Sequence, residues 1–244
     1  MNPVELIPVD GLPEVRSGDD LGKLIADHSN LQSDDIVVVA QKVVSKSEGR
    51  IVHIEDVKAG DEAIRIAPRL IAKPDPRMVQ VVLDESVRVL RSDRVLITET
   101  RHGYVCTNAG VDHSNVGRGI LTLLPVDPDA SASRLCARLR ELTRADVGVI
   151  VSDTFGRPWR LGIVNVALGV AGAPALIDLR GTRDDLGEVL HATVIAVADE
   201  IAAAAGLVMR KTARTPAVVV RGLSISGAGR GRDLIRPPSE DLFR

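Results

Sequence analysis

The chain has 244 residues, enough for one large domain or two small ones around a sizeable core. Apolar residues make up 45%, charged residues 26%, and the formal net charge is −2. This balance excludes a wholly disordered chain and any global pull toward nucleic acid or an anionic membrane. Aromatic residues are scarce: Tyr104, Phe155, Trp159 and Phe243. The core must therefore be aliphatic, and no row of rings exists on which bases could stack. No uninterrupted apolar run reaches the ~18 residues of a membrane-spanning helix. Met1 to Glu5 lack a basic stretch leading into an apolar one, which sets the expectation of a cytoplasmic protein. Cys106 and Cys136 belong to no CxxC or Cys/His cluster, which argues against a disulfide scaffold and a structural zinc site.

In chain order, Ser17-Gly18-Asp19-Asp20 reads as a helix start leading into Leu21, Leu24 and Ile25. Ile36 to Ala40 is an aliphatic strand. Helices are expected over Asp61–Ala72 and Met78–Leu90, and a strand over Arg94–Thr98. Ala130 to Thr143 carries Leu135, Leu139 and Leu142 at helical spacing. Val147 to Val151 is a second buried strand. Leu186 to Met209 reads as one long alanine-rich helix through Leu190, Val194, Val197 and Ile201. Ala217 to Val220 closes the pattern as a strand. Strands and helices mix without strict alternation, so the expected class is α+β, not a doubly wound sheet. Between Gly206 and Arg236 seven basic residues face one acid, Asp233, which suits either a solvated surface or a seat for a polyanion. Gly227 to Pro238, rich in Gly, Arg and Pro, reads as a mobile tail.

Three segments could carry chemistry. In Ile150 to Arg157 an aliphatic strand is expected to end at Asp153-Thr154, followed by a Gly turn and then Arg157 and Arg160. An Asp leaving the carboxyl end of a strand points toward the crevice where ligands of such sheets bind. Asp and Thr oxygens suit Mg²⁺ or Mn²⁺ and arginines suit phosphate, although the same pattern also describes an Asp or Thr capping a helix. In Thr107 to Asn115, Asp112 offers a second hard oxygen ligand and Asn115 a neutral hydrogen-bonding group; a loop of Asx turns has the same composition. In Val39 to Arg50, Gln41, Lys42 and Lys46 follow a buried strand and can hold phosphate oxygens, without a P-loop pattern. Gly162 to Gly172 contains no GxGxxG. No nucleophile–base pair is evident. Two candidate metal-binding aspartates with clustered cations fit phosphoryl chemistry, in which positioning and charge neutralisation do most of the work.

Taken together, these segments resemble the coenzyme F420-0:gamma-glutamyl ligase family. The likeness runs through Leu6 to Pro13, Gly18 to Leu21, Lys42 to Arg50, Ala109 to Asn115 and Leu124 to Asp129. It continues through Ser152 to Arg160, Ala198 to Ala202 and Pro216 to Gly222, nearly the whole chain. Residues 1–226 form the ligase-like unit in this reading and residues 227–244 a tail. The resemblance implies an intertwined homodimer of two-lobed α+β subunits with mixed sheets and packed helices. It implies GTP-dependent addition of L-glutamate to coenzyme F420-0 through an acyl phosphate, then a γ-linked second glutamate, with Mg²⁺ or Mn²⁺ and K⁺. Position by position, Leu12, Pro13, Glu14, Val15, Gln41, Lys42, Lys46, Asn115, Met209, Arg210, Lys211 and Thr212 would bind the nucleotide. Asp112, Asp153 and Thr154 would hold metal, and Asp112, Asp153 and Lys46 would be catalytic. The loop after the long helix departs from the family pattern. Arg210 stands where a glycine is usual, and Lys211 where archaeal members place an acidic ligand. A non-catalytic nucleotide-binding homologue, or a ligase for another carboxylate, would share these segments. No nucleic-acid or membrane partner is expected.

Overall fold

The computed structural model describes residues 3–114, 116–210, 214–223, 225 and 227–241. In chain order the elements are β1 (Glu5–Pro8), α1 (Leu21–Asp27), β2 (Ile36–Ala40), α2 (Gln41–Ser47), β3 (Ile51–His53), α3 (Asp61–Ile66), α4 (Pro76–Asp84), β4 (Ser86–Asp93) and β5 (Val95–Thr100). There follow β6 (Val105–Thr107), β7 (Ile120–Thr122), α5 (Pro128–Thr143), β8 (Gly148–Arg157), β9 (Arg160–Ala171), β10 (Ile177–Asp178), β11 (Val194–Ile195), α6 (Val197–Gly206) and β12 (Ala217–Arg221). This is a mixed α+β fold with several sheets.

The central sheet has the strand order β1-β12-β2-β8-β9, with β2 parallel to β8 and its other pairs antiparallel. Both faces are covered, which is why its inner strands read as unbroken aliphatic runs. On one face Val37, Val39, Val149, Val151 and Val219 pack with Ile25 of α1, Val44 of α2 and Leu135 and Leu139 of α5. On the other, Ile36, Val38, Ile150, Val218 and Val220 pack with Ile201, Ala202 and Ala205 of α6. A third core, including Ile66, Val79, Val82, Leu96, Leu121 and Leu123, holds the segment between β3 and β7.

Several helix starts follow local chemistry. The Asp20 side chain accepts from the Lys23 amide at α1, and Asp127 from the Ala130 amide at α5, where Pro128 occupies the first turn. Four expectations need correction. The helix expected over Asp61–Ala72 is α-helical only to Ile66 and tightens to a 3₁₀ turn at Ala67–Arg69, where Pro68 cannot donate to the ladder. The helix expected over Met78–Leu90 is α4, ending at Asp84; Ser86–Asp93, carrying the β-branched Val87 and Val89, instead pairs with β5 through an irregular register. The long helix begins at Val197, not Leu186. Asp184 accepts from the Leu186 and Glu188 amides to form a turn, and Val194 and Ile195 pair with β10. The strand over Val147–Val151 does not end at Asp153. As β8 it runs to Arg157 because β9 pairs with it throughout, and the chain reverses at Pro158-Trp159.

The tail expected to be mobile is pinned at Gly231. Asp129 accepts from the amides of Val170 (3.0 Å), Gly231 (2.6 Å) and Arg232 (3.3 Å). A Cβ on Gly231 would lie 1.9 Å from the Leu168 carbonyl oxygen, so only glycine lets the tail approach this closely.

Candidate active site

The register of the central sheet collects the segments singled out in the sequence. Pro8 lies opposite Val218, Ala217 opposite Val39, and Ala40 beside Ser152. The Val9 amide donates to the Ala217 carbonyl at 3.0 Å and the Ala40 amide to the Pro216 carbonyl at 2.8 Å. The loop after β1, the α2 segment after β2, Asp153 of β8 and the segment leading into β12 therefore meet at one end of the sheet. It is the carboxyl end of the parallel pair, where ligands of such sheets usually sit.

Lys42, in the first turn of α2, points its ammonium at the loop carrying Asp112. Its Nζ donates to Asp112 Oδ2 (2.7 Å), the Ser114 hydroxyl (2.7 Å) and the Ser114 carbonyl (2.6 Å). Ser114 in turn donates its amide to Asp112 Oδ1 at 2.7 Å and its hydroxyl to Oδ2 at 2.9 Å. Burial opposes the charge on Asp112, but the Lys42 and Ser114 hydrogen bonds outweigh it and hold the carboxyl below the usual carboxylate range. The loop is delivered by a left-handed turn in which Asn108 (φ 55°), Ala109 (φ 52°) and Gly110 (φ 71°) follow one another. Ala109 is buried in this conformation, the kind of strain that surrounding structure must hold in place.

One turn along α2, Lys46 reaches back to the loop after β1, where its Nζ meets Glu14 Oε1 at 2.5 Å. Gln41 is buried and accepts from the Ser45 hydroxyl at 2.9 Å. Val15 is a core residue and Leu12 packs against the same cluster, so what this loop can offer a ligand is its main chain, Pro13 and Glu14. Pro13 and Glu14 also line a groove of about 470 Å³ shared with Arg16, Asp19 and Lys23. Met209 lies by Asn165, with Nδ2 3.6 Å from Sδ, and Arg210 turns back to the Leu207 carbonyl at 3.5 Å. Asn115, Lys211 and Thr212 lie outside the described residues.

Side chains alternate along β8. Val151, and with it Asp153, faces α2; Ile150, Ser152 and Thr154 face α6. Asp153 Oδ1 accepts from the Thr154 amide at 2.8 Å. On its face it lies near Cys106 of β6: burial, aided by the Asp153 carboxylate, pushes that thiol up to about 12. The Thr154 hydroxyl leaves from the opposite face, beside the register partner Asn165.

The donor set suits a hard cation. Asp112 already carries a cation, the Lys42 ammonium, on its outer oxygen. No group of three or more His, Cys, Asp or Glu gathers among the described residues. Aspartate carboxylates are among the oxygen ligands that suit Mg²⁺, which keeps water and substrate phosphate in its shell. Sequence reasoning missed the double role of Ser114 and the Glu14–Lys46 pair. The Asp-x-Ser spacing of an Asx turn was the available signal for the first; nothing in the sequence signals the second.

The model of F420-0:gamma-glutamyl ligase matches residues 11–222 of this chain. The chain belongs to the F420-0:gamma-glutamyl ligase family. It is 44% identical over 251 residues to the coenzyme F420:L-glutamate ligase of Methanothermobacter thermautotrophicus, covering 99% of both chains. It is 46% identical over 242 residues to that of Archaeoglobus fulgidus (99% of this chain, 96% of the relative). With that of Methanocaldococcus jannaschii the identity is 42% over 246 residues (99% and 97%). Every segment meeting at the sheet end after Asp10 falls within the region matched by the family. Among the described residues no helix is long and apolar enough to cross a membrane.

Proposed function

We propose that this chain is a cytoplasmic ligase that joins L-glutamate to coenzyme F420-0 at the expense of GTP. The observation that carries the reading is the meeting of Lys42, Lys46, Asp112 and Asp153 at one sheet end, in a chain so similar to named glutamate ligases. In the proposed course a carboxylate oxygen of the lactyl group of F420-0 attacks the γ-phosphorus of GTP and GDP leaves. The amine of L-glutamate then attacks the acyl carbon, the carbon–oxygen bond to phosphate breaks, and the amine loses a proton as the amide forms. A second round adds glutamate through a γ-linkage. Lys42 and Lys46 neutralise phosphate oxygens, a charge-assisted contact for each. Leu12 to Val15, Gln41, Asn115 and Met209 to Thr212 border the nucleotide. Asp112, Asp153 and the main chain of Thr154 would hold Mg²⁺ or Mn²⁺, which together with K⁺ supplies further charge neutralisation.

The two-lobed subunit and the intertwined homodimer belong to the same proposal. The tip of the β8–β9 ribbon supports it: Trp159 (82%) and Leu161 (98%) are exposed there, an apolar surface that a second copy would cover. Residues 1–226 as the ligase unit, followed by the 227–244 tail, fit a family match that ends at 222.

The test is incubation with F420-0, L-glutamate and Mn²⁺, with GTP, ATP or no nucleotide, followed by mass spectrometry. The reading predicts glutamyl-extended F420 and GDP in the GTP sample alone. Extension without nucleotide, or none with GTP, contradicts it.

A further inference from the structure

Lys46 and its partner Glu14 differ sharply in surroundings. The lysine side chain is 10% exposed, whereas the Glu14 side chain is 73% exposed on the loop after β1. An ammonium withdrawn from water is held by polar or negative partners, and Glu14 is the carboxylate among those of Lys46. A carboxylate in solvent, by contrast, is weakly held and swings away at little cost. Two other ion pairs are built differently. Asp35, 1% exposed, receives the Arg221 guanidinium at 2.8 and 2.7 Å through two nitrogens, and Asp112 is fixed by two hydrogen bonds from Ser114. In the Lys46 pair the cation is fixed and the anion is the part free to leave.

We infer that Glu14 is a displaceable counter-anion: it occupies Lys46 until a phosphate group arrives from solvent, and so it weakens and tunes phosphate binding at this site. The inference rests on the proposed nucleotide site and reverses the role of one residue within it. The Glu14 side chain competes with the nucleotide instead of holding it. An incoming phosphate must either displace the carboxylate or share the ammonium with a second negative charge, and both lower its affinity. Glu14→Gln keeps a side-chain oxygen that accepts from Lys46 but removes the charge. Phosphate should then bind about 1.5- to 5-fold more tightly, the range for releasing a mostly exposed ion pair.

The test is calorimetric titration with inorganic tripolyphosphate, without divalent metal, of the wild type, Glu14→Gln, Lys46→Met and the double variant; Lys46→Gln replaces Lys46→Met if the latter does not melt cooperatively. The expected result is tighter binding in Glu14→Gln, weaker binding in Lys46→Met, and no effect of Glu14→Gln once Lys46 is gone. Equal or weaker binding in Glu14→Gln overturns the inference while leaving the phosphate site standing. An unchanged gain in the double variant also overturns it, because the effect is then a general one of surface charge. If Lys46→Met binds as the wild type does, the nucleotide reading at Lys46 itself fails, and the inference with it.

Discussion

Two carboxylates in this molecule are held in opposite ways. Asp129, 10% exposed, is gripped by main-chain amides from β9 and the tail. Asp112, 33% exposed, is held on Oδ1 by one main-chain amide, that of Ser114, and on Oδ2 by the Lys42 ammonium and the Ser114 hydroxyl. Amides fixed in the backbone cannot be exchanged for a ligand, so the Asp129 node serves only to join α5, β9 and the tail. An ammonium on four methylenes can leave, and the carboxylate it releases can accept another cation. The difference separates a structural carboxylate from a site carboxylate without reference to sequence likeness.

The largest expected effect lies at the fixed node. Asp129→Ala leaves three amide donors without their partner and should destabilise the fold by about 3–5 kcal/mol, measured by denaturant unfolding. Asp112→Asn and Asp153→Asn should do the reverse. Their unfolding midpoints should stay close to that of the wild type, while glutamate addition falls at least about 100-fold, as loss of a ligand or its immediate support does. A large stability loss in Asp112→Asn with activity retained would erase the contrast. Gly231→Ala, whose Cβ would meet a main-chain oxygen, should cost about 1–3 kcal/mol of stability with little change in activity per folded molecule.

Asp199 should give the smallest effect. It lies on α6 and accepts from the Ala167 amide at 2.8 Å. Burial raises its pKa, against the pull of that amide. A raised carboxylate pKa means that the unfolded chain ionises first as pH climbs. The penalty on folding is thus absent below about pH 4, grows as pH rises toward the folded-state value, and is complete above it. Asp199→Asn keeps an acceptor oxygen for Ala167 and removes the titration. Its stability should fall less than that of the wild type as pH rises from acid to neutral, read by thermal melting across that range.

Much of the central sheet was legible because burial on both faces demands aliphatic residues throughout β2 and β12. The helices α1 and α5 were legible from leucine spacing, although the Asp127-Pro128 start of α5 was passed over for Ala130. The extension of β8 was not legible: Asp153 to Arg157 has the composition of a loop and is a strand only because β9 pairs with it. Leu186 to Ile195 failed for a related reason, since a turn at Asp184 and pairing with Ile177 and Asp178 override an apolar spacing that suits a helix. In the site, the residue types at Lys42, Asp112 and Asp153 pointed to phosphate and metal, but their meeting depends on the register of β2 against β8 and on the strained turn before Asp112. The role of Asp129 was invisible, because one acid in a first helical turn looks like any other.

The measurement that bears most directly on the proposed chemistry is the fate of a carboxylate oxygen. F420-0 labelled with ¹⁸O in its lactyl carboxylate is incubated with GTP, Mn²⁺ and L-glutamate, and the released inorganic phosphate is analysed by mass spectrometry. An acyl phosphate broken by the glutamate amine transfers one labelled oxygen to phosphate for each amide formed. Label found in GMP instead, or unlabelled phosphate beside a glutamylated product, would contradict it.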